Sequence, residues 1–435
     1  MNGDMSRQRN EADRRPAAPR RPAARAALAL LGALGTAPAV GQPLPGGLAP
    51  DLAFSGFGTL GYATLDGEGA EYRTGAARDG ADEDGSFEVD SRLGLQLDAT
   101  FSPAWSATLQ GVARQDESGD PGAVLEWGFL RWLPTDALAV RAGRMSLPVF
   151  AVSDYREVGY ANLLLRPIED VYSLIPLRRF EGIDATLDTE FGDTLVRWQA
   201  LYGQARERIF NDLEPDARDS FGLSVALERG PARVRLSHVR SQLDIDSRSA
   251  GIAALRAGID RALGQVPRGA AGLEDLARDF SGERVPLRFV ALGLSLDLGR
   301  VFADAEYARR RIDNWVSDSD GWSIAVGARV GPVRPYGFVS GLYEPGGDRR
   351  VDLPDGVGLD ALEAGINTLY EPRDQRTVGL GARWDPVTNL AVKAQVERIS
   401  REVRGISFLR TTDDPAEPDP GEDVTLLSLA VDVVF

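Results

Sequence analysis

The sequence predicts an all-β fold: a transmembrane antiparallel β-barrel of sixteen strands, with eighteen as the alternative count. Three observations carry this. Apolar and polar residues alternate with period two along much of the chain. The connections between alternating runs switch regularly between short and long. The chain ends on VTLLSLAVDVVF, an alternating segment with a terminal Phe.

Composition narrows the function classes. The 435 residues include 48 Gly and 26 Pro, no Cys and a single His, with a formal net charge of −16. Without Cys there is no thiolate or disulfide chemistry, and one His cannot form a metal-binding His cluster. An acidic chain is poorly matched to phosphate backbones, so nucleic acid is not an expected partner. After the N-terminus no run of eighteen apolar residues could cross a membrane as a helix. Strands cross the same hydrocarbon in about 9–11 residues, only alternate ones apolar, so hydropathy misses them.

Residues 1–41 read as a signal peptide with a basic leader. Seven Arg and three acids precede an Ala/Leu-rich stretch from Ala27 to Val40, which carries the small-residue pattern Ala37-Pro38-Ala39. Cleavage fits after Ala39 or Gly41, and Met5 is a plausible start. A disordered tail ahead of a short buried helix is the blander reading. Removing 1–41 leaves 42 basic and 62 acidic residues, a net of −20. Residues 42–435 then form one transmembrane barrel domain.

The strands follow in order. In 86–101, SFEVDSRLGLQLDATF, Phe87, Val89, Leu93, Leu95, Leu97, Ala99 and Phe101 share one parity, interrupted at Ser91; Glu88, Asp90, Arg92, Gln96, Asp98 and Thr100 share the other. Such a run suits lipid on one side and water on the other. The expected strands are 52–64, 85–101, 105–115, 124–133, 137–147, 181–191, 194–203, 219–229, 232–243, 285–298, 301–311, 320–330, 333–343, 375–385, 389–399 and 424–435. Parity is ambiguous in 124–133, where Glu126 shares a side with Leu130 and Trp132, and in 333–343, which holds Pro335.

Tight turns at 102–104, 134–136, 192–193, 230–231, 299–300, 331–332 and 386–389 are built from Gly, Pro, Asp and Asn, the usual turn formers. The eight intervening connections, among them 65–84, 148–180, 244–284, 344–374 and 400–423, are longer. Short turns on the periplasmic rim and long loops outside are a barrel arrangement, with both termini on the periplasmic side. The last strand must pair with the first, since an open sheet edge is not tolerated in lipid. A β-solenoid or large β-sandwich is the competing architecture.

The blocks SGFGTLGY at 55–62, AGRMSLPVF at 142–150 and the final strand, with the features above, resemble the bacterial outer-membrane porins of the sixteen-stranded trimeric type. The resemblance spans 52–435 and is architectural. It implies the outer membrane of a Gram-negative bacterium and a homotrimer. It also implies recognition of the terminal strand by the barrel-assembly machinery, contact with outer-membrane lipid and lipopolysaccharide, and passive diffusion of small hydrophilic solutes and ions. It further implies a third outer loop folded into the lumen. Here that loop is 148–180, rich in apolar residues that a solvated loop has no need of; an outer lid or a trimer latch is the alternative. The Pro-Glu-Phe-Gly-Gly segment of enterobacterial general porins is missing, so ion selectivity is not transferable. A selective or gated channel, or a structural or adhesive barrel without transport, would keep the same strand pattern.

Parity places a charged set toward water: Glu88, Asp90, Arg92, Gln96, Asp98, Arg114, Arg141, Asp184, Asp188, Arg197, Arg233, Arg235, Asp304, Glu306, Arg310, Arg329, Arg383, Lys393 and Glu397. On lipid each charge would cost about 2–4 kcal/mol near the midplane. The candidate constriction sets Asp154, Glu157, Glu169 and Asp170 of the loop against Arg141, Arg144, Arg197 and Arg235 of the wall. Opposed charges would create a transverse field; alternatively they only solvate the lumen and pair with each other. Arg144 has lipid-side parity but sits where the loop begins.

Loops 65–84 and 400–423 are acid-rich and could collect Ca²⁺ or Mg²⁺, or simply form a solvated rim. No cofactor is expected. Residues 249–266 and 272–280 have helical spacing and would cap the outer mouth or pack at a subunit junction. No enzyme is expected: there is no GxSxG motif, and His238 has lipid-side parity beside Val234 and Leu236.

Overall fold

The computed structural model describes residues 50–67, 70–74, 80–115, 121–207, 213–247, 250–265, 272–312, 314–345, 350–353, 359–370, 374–401, 409–411 and 423–435. The expected signal peptide lies outside the described residues, as does most of loop 400–423.

In chain order the strands are β1 (Asp51–Asp66), β2 (Ala70–Tyr72), β3 (Arg92–Ser102), β4 (Trp105–Gln115), β5 (Pro121–Thr135), β6 (Leu138–Ser146), β7 (Arg179–Phe191), β8 (Thr194–Arg206) and β9 (Leu213–Arg229). They continue as β10 (Ala232–Ser247), β11 (Val285–Asp297), β12 (Val301–Ile312), β13 (Ser319–Ala328), β14 (Val333–Tyr343), β15 (Gln375–Val387), β16 (Leu390–Arg401), β17 (Leu409–Thr411) and β18 (Val424–Val434). Sixteen of them close an antiparallel barrel; β2 and β17 pair separately. The alternative of an eighteen-stranded barrel does not hold, because β2 and β17 pair with each other and take no place in the barrel wall.

All sixteen expected strands are present, and the differences have local causes. The second barrel strand starts at Arg92 rather than at 85, and residues 88–90 form a turn. Ser91, the break in parity, instead accepts from the Gly61 amide at 3.0 Å. The ambiguous parity of β5 comes from a bulge opposite Gln110/Gly111, which turns Glu126 inward and buries it. Pro335 leaves the β14 pairing intact, with Tyr336 buried on the lumen side and donating to Gln395 Oε1 at 2.8 Å.

Closure joins the first strand to the last. β1 pairs with β3 along one edge and with β18 along the other, and Gly56 and Phe435 exchange backbone hydrogen bonds of 2.8 and 3.0 Å. Gly56 is required here: a Cβ would lie 2.3 Å from the Phe435 ring. The outward face is a belt of exposed apolar side chains, including Leu95, Leu109, Ile183, Leu223, Leu236, Leu292, Leu294, Ile324, Leu380, Leu427 and Leu429. Their exposure on alternate positions all round a closed barrel is what contact with hydrocarbon requires.

Among the described residues four α-helices lie in the connections: α1 (Glu169–Tyr172), α2 (Ala250–Gln265), α3 (Leu273–Ser281) and α4 (Leu359–Leu369). The expected pair in 244–284 is α2 and α3. The third, α4, has no counterpart in the sequence reading. Ile252, Ile259, Leu273, Leu276, Phe280, Leu359, Leu362 and Ile366 bury one another and continue into the loop core below. Burial of such side chains contributes about 1.5–3 kcal/mol each.

Candidate functional site

The connection between β6 and β7 folds into the barrel. Its apolar residues explain why. Val149, Phe150, Leu165, Val171, Tyr172, Leu174 and Ile175 are all at most 3% exposed. Phe150 stacks on Tyr172 at 4.3 Å and meets Phe289 of β11 edge-on at 5.4 Å. Leu163, Leu164 and Ile168 pack on Ala325, Tyr336 and Phe338 of the opposite wall. A segment that touches β11, β13 and β14 at once occupies the lumen.

Polar anchors fix it there. Arg166 is 3% exposed on its side chain and binds Asp90 with bonds of 2.6 and 3.0 Å, Glu397 at 2.8 Å and Ser428 at 2.7 Å. Lys393, buried against Asp432 at 3.0 Å, donates to the Gly159 and Leu164 carbonyls at 2.7 and 3.0 Å. Gly159 must be Gly, because a Cβ would fall 2.1 Å from Asp432 Oδ1. Arg383 donates to the Tyr160 and Asn162 carbonyls and lies over the Tyr160 ring at 4.7 Å. Toward the loop's two ends, Glu306 accepts from the Ala151 amide at 2.8 Å and Arg310 holds the Leu174 carbonyl at 3.0 Å.

The candidate constriction residues separate into four settings. Asp154 is exposed on a short 3₁₀ turn, Ser153–Tyr155, and lies within electrostatic range of Arg141, Arg197 and Arg235 without direct ion pairing to any. Those three are already held: Arg141 by Asp184, Arg197 by Asp188 at 2.7 and 2.8 Å, and Arg235 by the Pro148 carbonyl at 2.5 Å. Glu157 lies in a second setting, where Arg92, Arg114 and Arg178 share it at 3.1, 2.5 and 3.1 Å. Burial alone would raise its pKa, but Arg114, Arg178, Arg92 and Arg156 together hold its carboxyl well below the usual range.

Glu169 and Asp170 are buried in α1, the third setting, rather than presented to open lumen. Asp170 accepts from Ser340 and Gln375, each at 2.6 Å. Burial pushes both carboxyls up. Arg144 is the fourth and departs from the expected constriction set. It faces outward and pairs with Glu181, which shares the outer face of β7 with exposed Ile183 and Leu187. Strand alternation persists up to the loop, so the lipid-side parity of Arg144 holds. Arg329 keeps its lumen-side parity but sits at the turn after β13, over the inward Phe302 ring at 5.1 Å and bound to Asp297 at 2.7 Å.

Reading the loop by its acids alone misses its own cations. Arg156, Arg166 and Arg178 do much of the docking or charge-setting, and the signal was three Arg beside four acids in a segment rich in apolar residues. Arg156, Arg178, Arg92, Arg114 and Arg179 border a cavity of about 330 Å³ with Glu157 on its wall. Burial, Arg114 and Arg156 bring the Arg178 guanidinium down to about 10.

On the other side of the Asp154 turn the lumen face is wet. Arg197, Arg233 and Asp188 have side chains 44%, 40% and 36% exposed, and Asp304 is exposed beside them. Among the described residues no group of three acidic or His side chains is placed to hold a metal. His238 points outward with Leu236.

No family model and no curated protein matches the chain. Solved structures do. The Salmonella typhi OmpF complex with daunomycin aligns over 89% of this chain and 98% of its own, with 11% identity and a TM-score of 0.53. An anion-selective porin from Comamonas acidovorans aligns over 89% and 100%, with 12% identity and a TM-score of 0.51. A loop-deletion mutant of OmpT from Vibrio cholerae gives 89%, 100%, 12% and 0.50. At such identities the likeness establishes architecture, and the chain has the fold of these outer-membrane barrels: sixteen antiparallel strands closed around a lumen.

Proposed function

We propose that this chain is a passive diffusion channel for small hydrophilic solutes and ions in a bacterial outer membrane. Passage runs through the half of the lumen left open between the Asp154 turn and β6–β12. The observation that carries this reading is the exposure of Arg197, Asp188, Arg233 and Asp304 on the inward face. A sealed scaffold would bury those positions, as Lys393 and Asp432 are buried under the loop. Asp154 opposite Arg141, Arg197 and Arg235 sets a transverse field at the narrowest level, and the constriction role belongs to these four rather than to Glu169, Asp170 or Arg144. The chemistry is positioning and electrostatics; no proton transfer or bond making is required.

Planar-bilayer recording tests the proposal. Purified protein should give discrete conductance steps, and closure in three equal steps would support the homotrimer. Absence of any conductance from folded protein would defeat the channel reading. A gated channel is the second reading, favoured by the apolar continuity of α2, α3 and α4 with the loop core. It would show long closed periods that shorten when 250–281 is deleted.

A further inference from the structure

The cavity of about 330 Å³ is separate from the constriction. Its walls come from the outer ends of β3, β4, β5, β7, β8 and β9 and from the in-folded loop. None of Asp154, Arg141, Arg197 and Arg235 lines it. Small-molecule pockets span roughly 300–1,000 Å³, so this one has room for a compact solute. Two groups of side chains meet around it, and their charge is unbalanced in opposite senses.

One group is short of anions. Arg92, Arg114 and Arg178 converge on the single carboxylate of Glu157. Arg156 adds a fourth guanidinium to the cavity wall. That guanidinium has no ion pair or hydrogen bond among the described residues and lies over the Tyr172 ring at 5.4 Å. Crowded guanidiniums repel one another, and their paired N–H donors match a carboxylate.

The other group is short of donors. Arg179 is the ion-pair partner of both Glu207, at 2.5 Å, and Glu126, at 3.7 Å. Glu207 and Glu169 line the cavity although they are only 7% and 9% exposed. One oxygen of each, together with Gln115 Oε1 on the same wall and Glu126 Oε2 beside Arg179, has no hydrogen-bond donor among the described residues. Buried acceptors are nearly always paired, because an unpaired one is costly. An ammonium group brings three donors and the missing positive charge. A simple anion would answer the first group and aggravate the second, and a simple cation would do the reverse. A molecule that carries both charges answers both.

We propose that this cavity is a saturable binding site for a small zwitterion, which sets its carboxylate against Arg156 and the Arg92, Arg114 and Arg178 group and its ammonium against Glu207 and Glu169. The solute class rests on the reading of the lumen as a solute path, whereas binding itself does not require the lumen to conduct.

The test is isothermal titration calorimetry on the full-length folded protein in detergent. The probe is 3-aminopropanoate; 3-aminopropanamide, which keeps only the positive charge, and N-acetyl-3-aminopropanoate, which keeps only the negative one, are its controls. Wild type should bind the zwitterion about fivefold more tightly than either control, the scale of one ion pair in water. E207Q should erase the preference over the N-acetyl compound. R156Q should erase the preference over the amide, and R156K should restore it. R144Q, which removes an outward arginine, should bind as wild type does. Heat-modifiable migration verifies that each barrel is folded. Undetectable binding, or equal binding of the three probes by wild type, overturns the proposal, as do unchanged preferences in both E207Q and R156Q or an equal loss in R144Q. Preferential zwitterion binding without bilayer conductance would defeat the channel reading and uphold the site; conductance with equal binding of the three probes would do the opposite.

Discussion

The two halves of the lumen solve the same problem in opposite ways. Around β13–β16, β18 and β1, inward polar residues are buried beneath the loop. Lys393, Asp432 and Ser428 are inaccessible, and each is tied into a pair or hydrogen bond. Across the lumen the inward Asp188, Arg197 and Arg233 of β7, β8 and β10 are paired along the wall but open to water. The difference teaches that charge on the inner face has two uses. Under the loop it fixes structure, because a buried unpaired charge is costly. In the open half it is cheap to place and remains available to passing solutes.

The largest effect should come from breaking an anchor in the filled half. Arg166→Met leaves Asp90 and Glu397 buried without their cation, a loss of about 3–5 kcal/mol for a broken buried pair. The barrel should stay closed while the loop leaves its seat. Larger, noisier single-channel steps and protease cleavage within 148–178 are the expected signs; unchanged conductance and protection would mean the anchor is dispensable.

Glu157 stands where the two halves meet, and Glu157→Gln sharpens the comparison. It leaves Arg92, Arg114 and Arg178 without their shared carboxylate, raising local positive charge beside the cavity. Two unit charges 4 Å apart in water interact by about 1 kcal/mol, roughly fivefold in a permeability ratio. Reversal potentials across a salt gradient should therefore move toward anions, and movement toward cations would contradict the charge assignment.

In the open half the effects should appear in selectivity and not in stability. Arg197→Gln removes an exposed pair with Asp188, so unfolding should change by about 0–1 kcal/mol. Its reversal potential should shift toward cations, and that of Asp154→Asn toward anions. A destabilisation as large as that of Arg166→Met would erase the distinction between the halves.

Acidification gives the smallest effect. The folded-state pKa of Glu157 is depressed, so its contribution is present above the unfolded value and is lost only as pH falls through the lower folded one. Asp170 is raised by burial and takes up its proton earlier on the way down, which relieves the cost of holding that charge in α1. Loop protection from protease should thus hold from pH 7 to about pH 5, above the ordinary carboxylate range. Loss of protection within that window would show that Glu157 is not the acid-resistant anchor.

What was legible in the sequence was whatever local alternation and turn chemistry control. A strand between lipid and water must alternate, so β4 and β14 have the bounds read from their residues, and the terminal Phe435 meets Gly56 as closure demands. Even the break at Ser91 was written as an interruption of parity. The outward turn of Arg144 followed the same rule.

Tertiary structure alone decided which inward charges are covered. Arg141 and Lys393 are both inward cations on strands, yet one borders the open half and the other is sealed beneath Gly159. Nothing within a few residues of either tells them apart, because the deciding atoms lie more than two hundred residues from Lys393 along the chain. The helix α4 and the inward set of Glu126 were hidden for the same reason: packing against distant partners, and a bulge at Glu126 set by its pairing with β4, decide them rather than any local periodicity.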